Sequence, residues 1–395
     1  MRLSPLPRVP LGDLVTIRSG GTPSKGNAEY WGDDLPWITA KDLKSRNLVS
    51  SIQKLSAAGR TLATIAPVGA LLILVRGMGL FKGIPIGICR TEAAFNQDVK
   101  ALIPGNAIDG GFLYCALDSL KPVLMHLVEA AGHGTGRLDT AKLLALPIPL
   151  PPLPEQRRIV AILGTWDAAI EKAERLLDAA QRQFEALRTE LYREDGSEER
   201  LTFGDFLDES RIPGNDGSTA RKLTVKLYGK GIEPKQDRTA GSTNTRYYIR
   251  KAGQFIYSRL DFLNGAFAVV PPHLDGFQST LDLPAFDIAP RVNPVWLLNY
   301  FTRPVYYENQ QNLARGQRIA RRVNPDDLLA SEIAVPTRER QDEVAEILTL
   351  CIAEISRTKS MVAALRRQKS GLMQKLLTGK IRVPEAVADL SSAAD

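Results

Sequence analysis

The second half of the chain contains a dense run of basic side chains. Residues 211–260 hold eleven Lys/Arg and three acids, interleaved with Gly, Ser, Thr, Asn and tyrosines. Lysine and arginine contact phosphates, and Arg, Asn and Gln also hydrogen-bond to base edges in DNA. A solvated face has a similar composition. As a DNA-contacting surface, this stretch supplies the candidates Lys226, Lys230, Lys235, Arg238, Arg246 and Arg259.

Further candidates for DNA contact lie elsewhere in the chain. The segment RGQRIARR adds Arg315, Arg318, Arg321 and Arg322. In the first 150 residues the candidates are sparser: Lys41, Lys44, Arg46, Arg76, Lys82, Gln97 and Arg137. A formal net charge of +7 agrees with a polyanionic partner, although many globular proteins are equally basic.

Patterns typical of catalytic and metal sites are missing. The glycine-rich GHGTGR at 132–137 lacks the spacing and the Lys-Ser/Thr of a phosphate-binding loop, and Glu233-Pro-Lys235 lacks the acidic partner of a nuclease site. The two Asn-Pro sites, VNPVW and VNPDD, lack the aromatic that would clamp a flipped base, and Asn-Pro commonly starts a turn or a helix. The histidines and cysteines show no metal-binding spacing: His126, His133, His273, Cys89, Cys115 and Cys351. We therefore predict a chain without a catalytic site or a metal of its own.

The composition predicts a cytoplasmic protein that does not span a membrane. Widely spaced cysteines fit a reducing compartment, and the N-terminus lacks the continuous apolar stretch of a signal peptide. The longest apolar run, ALLILV at 70–75, is too short to cross a bilayer and predicts a buried strand.

The chain repeats itself at one constant offset. LLALPIPLPPLPEQRRIVAIL from Leu143 matches LLASEIAVPTRERQDEVAEIL from Leu328, so that Pro151 meets Pro336 and Gln156 meets Gln341. PLGDL at 10–14 resembles TFGDF at 202–206, and VGALLILVRG at 68–77 resembles AGQFIYSRL at 252–260. Each half is thus predicted to be a globular region, an extended Pro-containing joint and a helix.

Both helices carry an apolar seam with alternating spacings of four and three, which is typical of helix-to-helix packing. The alternative is that each helix packs on its own domain. We predict that these residues pair the helices: Ile159, Leu163, Trp166, Ile170, Leu177, Phe184, Leu187, Leu191, Val344, Leu348, Ile355, Val362, Leu365, Leu372 and Leu376. The seam alone does not fix the helix directions.

These patterns predict an α+β chain with an internal repeat. The predicted segments are a first domain at 1–154, a helix at 155–194, a second domain at 197–338, a helix at 339–380 and a flexible tail at 384–395. Within the domains, GALLILV, QFIYSRL and AFAVV predict strands, and GFLYCALDSLKPVLMHLV and NPVWLLNYFTRPVYYENQ predict helices.

The arrangement resembles the specificity subunits of type I restriction–modification systems. The motifs that carry the resemblance are LPWITAKDL at 35–43, FNQDVKAL at 95–102, LPIPLPPLPEQRRIVAIL at 146–163, GQFIYSRLDFLNGAF at 253–267 and KSGLMQKLLTGKIRV at 369–383. The second joint, VPTRERQ, departs from the pattern because it keeps Pro336 and Gln341 but loses the other prolines and the Glu-Gln pair.

The resemblance implies two target-recognition domains, each reading one half of a split double-stranded DNA site. It also implies that the helices run antiparallel as a coiled coil, give the chain a pseudo-twofold arrangement, set the gap between the half-sites and dock two modification subunits. Those methyltransferase partners would bind S-adenosylmethionine, and a separate restriction or motor subunit would use ATP and Mg²⁺. This chain itself would then carry no cofactor.

Three other functions remain open from the sequence. The chain could be the DNA-reading module of another methylation-based defence system, or it could cut or methylate DNA itself. It could also be a structural coiled-coil protein with decorating domains. DNA binding by the purified chain, and activity with Mg²⁺ or S-adenosylmethionine, separate these hypotheses.

Overall fold

The computed structural model describes residues 6–132, 134–236, 241–316 and 321–383. The predicted tail at 384–395 lies outside the described residues. The chain forms two compact units: unit 1 runs up to Arg175 and resumes at Ser360, and unit 2 is Leu176–Lys359. Each unit has its own apolar core, and each mixes helices and strands, which confirms the predicted class at that level.

Unit 1 contains fifteen described strands and five short helices before its long helical segments. The strands are β1 (Arg8–Pro10), β2 (Val15–Ser19), β3 (Trp31–Gly32), β4 (Leu35–Ile38), β5 (Asn47–Leu48), β6 (Gln53–Leu55), β7 (Ile65–Ala66), β8 (Leu71–Leu74), β9 (Arg76–Gly77), β10 (Ile86–Cys89), β11 (Ala93–Phe95), β12 (Val99–Pro104), β13 (Val128–Ala131), β14 (Thr135–Leu138) and β15 (Pro147–Pro149). The helices are α1 (Leu11–Leu14), α2 (Ala57–Thr61), α3 (Gly110–Ser119), α4 (Lys121–His126) and α5 (Thr140–Leu144).

The main sheet of unit 1 has the strand order β2-β12-β8-β10-β5. The predicted strand ALLILV supplies β8, in which every side chain is buried. A run of consecutive apolar residues suits a strand that is covered on both faces. A second sheet has the order β3-β6-β4-β11-β7, and β13, β14 and β9 form a third.

Unit 2 has thirteen described strands. They are β16 (Glu199–Thr202), β17 (Leu207–Ser210), β18 (Pro213–Asp216), β19 (Leu223–Val225), β20 (Ile232–Pro234), β21 (Arg246–Ile249), β22 (Phe255–Tyr257), β23 (Phe267–Val269), β24 (Gln278–Ser279), β25 (Ala285–Ile288), β26 (Ala314–Arg315), β27 (Arg322–Val323) and β28 (Glu332–Val335). Its short helices are α7 (Pro294–Phe301), α8 (Pro304–Tyr307) and α9 (Pro325–Leu329). Its main sheet has the order β17-β25-β22-β23.

The main sheets of the two units share the order of four strands, as the internal repeat predicts. The order β17-β25-β22-β23 corresponds to β2-β12-β8-β10, strand for strand along the chain. The predicted helical patterns become α3 with α4 and α7 with α8, and each pattern breaks where a proline enters the next helix, at Pro122 and Pro304. Proline lacks the backbone N–H that a continuing helix needs, so the break is expected.

A two-stranded antiparallel ribbon closes each unit. β1 pairs with β15, and β16 pairs with β28. In both cases the strand at the start of the globular region pairs with the strand just before the joint. The long helix therefore begins next to the point where its domain begins.

The long helices are α6 (Leu153–Leu191) and α10 (Arg338–Leu377). The predicted bounds, 155–194 and 339–380, are wrong by one to three residues at each end. α6 starts earlier because Pro154 is tolerated in a first helical turn, where no backbone hydrogen bond is lost. α10 ends before Gly379, whose φ of +70° is the left-handed conformation typical of helix ends.

Candidate nucleic-acid interface

The first basic site lies where two strands of unit 1 pair. The register of β9 and β14 places Arg76 opposite Arg137, and both side chains are exposed. A Cβ atom on Gly136 would lie 3.0 Å from the Leu80 Cβ, so this glycine lets the β13–β14 hairpin approach the next turn closely. Exposed Lys82 follows that turn. Arg137 is thus brought to Arg76 and Lys82, from which it is distant in sequence, in one local basic surface.

Unit 2 builds a basic site at the corresponding place. The Val323 N–H of β27 donates to the Arg259 carbonyl at 3.0 Å, which joins the β26–β27 hairpin to the segment carrying Arg259. Arg322 stands at the repeat position of Arg137, and its cross-strand partner is Arg315. The two basic clusters predicted from the sequence therefore meet in one surface.

Several members of this second site have partners within the chain. Arg315 pairs with Asp327, and the Arg322 Nε lies 3.5 Å from an Asp282 carboxylate oxygen. Arg321 is exposed. The other two candidates, Arg238 and Arg318, lie outside the described residues.

A polar cavity of about 410 Å³ lies beside the Arg259 side chain in unit 2. Its lining alternates donors and acceptors: Glu209, Arg211, Arg259, Leu281, Arg315, Asn324, Pro325, Asp326 and Asp327. Arg259 donates to the Asn324 side chain, while its Nε is buried without a hydrogen-bond partner among the described residues. Arginine reads guanine and carboxylates accept from the cytosine amino group, so this set suits base-edge contacts.

The basic run at 211–260 is not one continuous surface, because Arg250 is fully buried with 0% exposure. Its guanidinium donates to the Ser210 carbonyl at 2.8 Å, the Ser279 hydroxyl at 2.7 Å and the Leu283 carbonyl at 3.1 Å. Burial lowers the pKa of Arg250 to about 10. This arginine holds strands together and does not face a ligand.

The remaining candidates of the run are on the surface. Lys226, Lys230, Lys235 and Arg246 are exposed. Lys226 pairs with Glu233 at 2.5 Å, and this ion pair accounts for the acid of the Glu233-Pro-Lys235 segment without a nuclease role.

In unit 1, Arg46 contacts a long helix instead of extending freely into solvent. Its Nη1 lies 2.7 Å from an Asp167 carboxylate oxygen, and its guanidinium stacks 4.9 Å from the Tyr114 ring centre. Asp167 also accepts from Lys369. Arg46 therefore connects its domain to α6 and, through Asp167, to α10, which suits a positioning role. The other unit 1 candidates, Lys41, Lys44 and Gln97, are exposed.

The first joint is fixed by one buried glutamine. Gln156 has 0% exposure, and its Oε1 accepts from the Asp109 N–H at 2.8 Å. Its Nε2 donates to the carbonyls of Ala107 and Pro151 at 3.1 and 2.8 Å. Asp109 is the N-cap of α3, so one side chain joins the start of the long helix, the joint and the start of a domain helix.

The second joint contains the same three hydrogen bonds. Gln341 Oε1 accepts from the Asn293 N–H at 2.8 Å, and its Nε2 donates to the carbonyls of Arg291 and Pro336 at 3.2 and 2.9 Å. Asn293 is the N-cap of α7. The glutamine contacts are thus repeated although most of the prolines are not.

An ion pair reinforces the first joint. Arg382 follows the end of α10 and donates to both carboxylate oxygens of Glu155, at 2.7 and 2.5 Å. Glu155 is buried, and its hydrogen bond raises the pKa of Arg382 above the usual range. Paired arginine and carboxylate groups of this geometry hold orientation as well as charge.

The predicted helix seam is the less exposed face of both helices. All fifteen predicted pairing residues are buried or half-buried. In unit 1, α6 and α10 exchange two ion pairs, Asp167 with Lys369 and Glu174 with Arg366. Lys369 is a polar residue on the seam itself, and Asp167 supplies its partner. The acidic partners run from Asp167 to Glu174 towards the C-terminus of α6. Their basic partners run in the opposite direction along α10, from Lys369 back to Arg366.

Comparison with known proteins finds a family model that matches part of the chain. Residues 7–179 match the family described as the Type I restriction modification DNA specificity domain. The resemblance to type I specificity subunits is confirmed. The match runs through unit 1 to Arg175 and continues along α6 to residue 179.

Curated relatives are type I specificity subunits. The chain is 32% identical over 190 residues to the Type I restriction enzyme EcoR124I/EcoR124II specificity subunit of Escherichia coli, covering 46% of this chain and 47% of that protein. It is 24% identical over 379 residues to the EcoprrI specificity subunit of Escherichia coli, covering 90% and 91%. The match to the EcoR124I/EcoR124II protein therefore spans about half of its length, whereas the weaker match spans nearly all of both chains.

Solved structures show the same fold over almost the whole chain. The type I restriction-modification S subunit from M. genitalium superposes with a TM-score of 0.57 at 13% identity, covering 94% of this chain and 95% of that one. A chain from a study of complex assembly and conformational transition of the type I R-M system gives 0.62 at 18% identity, covering 96% and 100%. The specificity-subunit fold thus includes unit 2, which lies beyond the family match.

The described residues of this chain hold no group of three or more His, Cys, Asp or Glu residues placed to bind a metal. Within the same residues, no helix is both long and apolar enough to cross a membrane. The absence of a catalytic site remains a prediction from the sequence.

Several residues that hold the helices and domains together are not among those predicted from the sequence. Asp109 and Asn293 hold nearly matching positions in the two halves and each precedes a helical pattern, so their N-cap roles had a readable signal. The sequence gives no signal for the Glu155–Arg382 pair, because the two residues are far apart in the chain. Tyr228 is one of the tyrosines of the basic run, and its backbone conformation sets it apart.

Proposed function

We propose that the chain is the DNA specificity subunit of a type I restriction–modification complex, in which each unit reads one half of a bipartite site. The observation that carries the proposal is the repeated basic site, in which Arg137 and Arg322 stand at matching repeat positions, Arg137 opposite Arg76 in unit 1 and Arg322 beside the segment of Arg259 in unit 2. Two similar readers in one chain suit two half-sites at a fixed separation.

In this proposal α6 and α10 form an antiparallel coiled coil that separates the two readers. The ion pairs of Asp167 with Lys369 and Glu174 with Arg366 support the antiparallel direction, because the partners advance in opposite senses. The repeated contacts of Gln156 and Gln341 support rigid joints. A rigid spacer of about 60 Å, at 1.5 Å per residue, would set the gap between half-sites.

The proposal assigns catalysis to partners. Two modification subunits would dock on the helices, bind S-adenosylmethionine and methylate adenine, and restriction subunits would use ATP and Mg²⁺. The purified chain alone is then expected to show neither nuclease nor methyltransferase activity. Either activity in a preparation free of partner subunits would support the enzymatic alternative.

Sequencing the methylated bases of a host that carries this chain with its modification subunit tests the main claim. We expect a split motif with two specified halves and an unspecified gap. Alanine at both Arg76 and Arg137 is expected to weaken DNA binding and reduce its salt dependence by about two charges, since each phosphate contact contributes about one. A contiguous methylated motif would contradict the proposal.

Insertion of one heptad into both helices tests the spacer separately. Seven residues add about 10.5 Å, which corresponds to roughly three base pairs. A heptad keeps the apolar seam in register, so the helices should still pair. The expected motif has unchanged half-sites and a longer gap. An unchanged gap would contradict the hypothesis that the helices set the distance between the half-sites.

A further inference from the structure

Tyr228 has a strained backbone on an exposed loop. It lies between β19 and β20 with a φ of +58°, and no other non-glycine residue among the described ones has a positive φ. The left-handed region crowds the Cβ atom, so glycine or asparagine normally occupies such positions, and a bulky side chain there is unusual. Strained residues of this kind persist when the surrounding structure enforces them, and they concentrate at functional sites.

Hydrogen bonds hold the loop in this conformation. The Tyr228 N–H donates to the Asn264 carbonyl and the Gly229 N–H to the Gly265 carbonyl, both at 2.8 Å. The strain is therefore imposed by a fixed backbone and does not reflect a free loop end.

The tyrosine ring packs little against the core, although its backbone is strained. It is 61% exposed. Its described partner is Lys230, whose Nζ lies 5.7 Å from the ring centre. A glycine would satisfy the backbone better, so the ring must serve a purpose other than folding.

The surroundings of the ring are basic. Lys226, Lys230 and Lys235 are all exposed within the same β19–β20 hairpin and its flank. The loop is also hydrogen-bonded to the 3-10 turn Phe262–Asn264, which begins three residues after Arg259. Charge of this sign complements phosphates, and an exposed aromatic ring can stack on a base.

In unit 1, the 3-10 turn at the repeat position of Phe262–Asn264 itself presents large apolar side chains. There the 3-10 turn Met78–Phe81 follows Arg76 by two residues and carries Met78 and Phe81 at 73% and 48% exposure. Exposed Arg76 and Lys82 flank them. Apolar side chains among basic residues are the means by which many DNA-binding proteins enter a base step.

We propose that Tyr228 contacts a base of the half-site read by unit 2, while Lys230 beside the ring contacts a flanking phosphate. This inference rests on the proposed function, because it names a specificity-determining residue of that DNA-reading surface. The ring contacts a base of duplex DNA, and the fixed, strained backbone determines the position of the ring.

Glycine and phenylalanine variants separate this role from a structural one. The full chain, assembled with its modification subunits, is titrated with a duplex carrying the split motif found by methylation sequencing and with a duplex whose half-sites are scrambled. Tyr228→Gly is expected to bind the motif about ten- to a hundredfold more weakly, in the range of a lost stacking contact. Its melting temperature should be equal or higher, since the strain is relieved.

The matched variants should behave differently. Tyr228→Phe keeps the ring and should bind within about twofold of the parent. Val305→Ala removes an apolar side chain of unit 2 that is equally exposed at 62% and should change neither binding nor melting temperature. In cells, Tyr228→Gly should relax the methylated motif in one half-site and leave the other unchanged.

Several outcomes would overturn the inference. One is parent-like binding and an unchanged motif for Tyr228→Gly, and another is a loss of binding that follows a loss of thermal stability. Weaker assembly with the modification subunits at unchanged DNA affinity would assign the ring to a protein contact instead. If the parent complex itself failed to distinguish the motif duplex from the scrambled one, the proposed function would fall together with this inference.

Discussion

Replacing each joint glutamine by leucine tests whether hydrogen bonds hold the domains on their helices. Leucine keeps much of the glutamine volume but forms no hydrogen bond. In Gln156→Leu, the Asp109 N–H and the buried Pro151 carbonyl lose partners at 2.8 Å. The Ala107 carbonyl belongs to an exposed residue and can turn to water.

The expected cost follows from these contacts. A buried polar group left without a partner costs about 1–3 kcal/mol. The buried Pro151 carbonyl and the half-buried Asp109 N–H together put Gln156→Leu at about 3 kcal/mol. Gln341→Leu should cost less, about 2 kcal/mol by the same reasoning, because Pro336 is only half-buried and Arg291 is exposed. For units of this size, about 3 kcal/mol lowers the melting temperature by about 6–12 °C.

Calorimetric unfolding of the full chain, combined with amide hydrogen exchange, provides the assay. The control is Gln181→Leu, an exposed position on the same helix, which should stay within about 0.5 kcal/mol of the parent. Exchange at the Asp109 amide should accelerate in Gln156→Leu only, and exchange at the Asn293 amide in Gln341→Leu only. If both glutamine variants unfold like the control, the hydrogen bonds do not hold the joints and this reasoning is refuted.

Three further changes have expected outcomes. Arg250→Met should destabilise the chain by about 3 kcal/mol in chemical unfolding, because the buried Ser210 carbonyl and the buried Ser279 hydroxyl lose the donor that Arg250 supplies; stability within about 0.5 kcal/mol of the parent would contradict its assigned role. Hydrogen bonds from Asn293 and Arg338 lower the pKa of Asp342, so its contribution to stability is present above pH 4 and is lost as the pH falls further; Asp342→Asn should make the melting temperature less dependent on pH below pH 4. A thiol reagent should label Cys351 faster than Cys89, whose pKa burial raises to about 12; equal labelling rates in the native chain would contradict this order.

The repeat was the strongest signal in the sequence because it predicts structure through comparison and not through propensity. The constant offset correctly matched Gln156 to Gln341, and the helices α5 and α9 begin at Thr140 and Pro325, which correspond under the same offset. Predictions from the local sequence were correct where one residue fixes the backbone conformation, as Pro122 and Pro304 do at the helix breaks. Helix ends were less accurate because a tolerated first-turn proline and a terminal glycine shift them.

The side-chain contacts of the candidate site could not be read from the sequence. Arg250 and Lys230 belong to the same basic run, yet one is fully buried and the other exposed. Arg46 looked like a DNA contact, but it pairs with Asp167, which is 121 residues away. Charge composition gives the number of basic residues in a segment, whereas their direction depends on strand pairing and on acids from distant elements.

The two joints show that proline density is not what makes them rigid. The first joint is rich in prolines and gains the Glu155–Arg382 pair, whereas the second has Arg338, which donates to the Asp342 carboxylate at 2.9 Å and to the Pro290 carbonyl. Proline limits only the backbone angles of its own segment, and it does not connect that segment to the neighbouring domain. The glutamine makes that connection in both copies, through one acceptor and two donors. The helix and the domain should therefore move as one body at each joint, even where the prolines are missing.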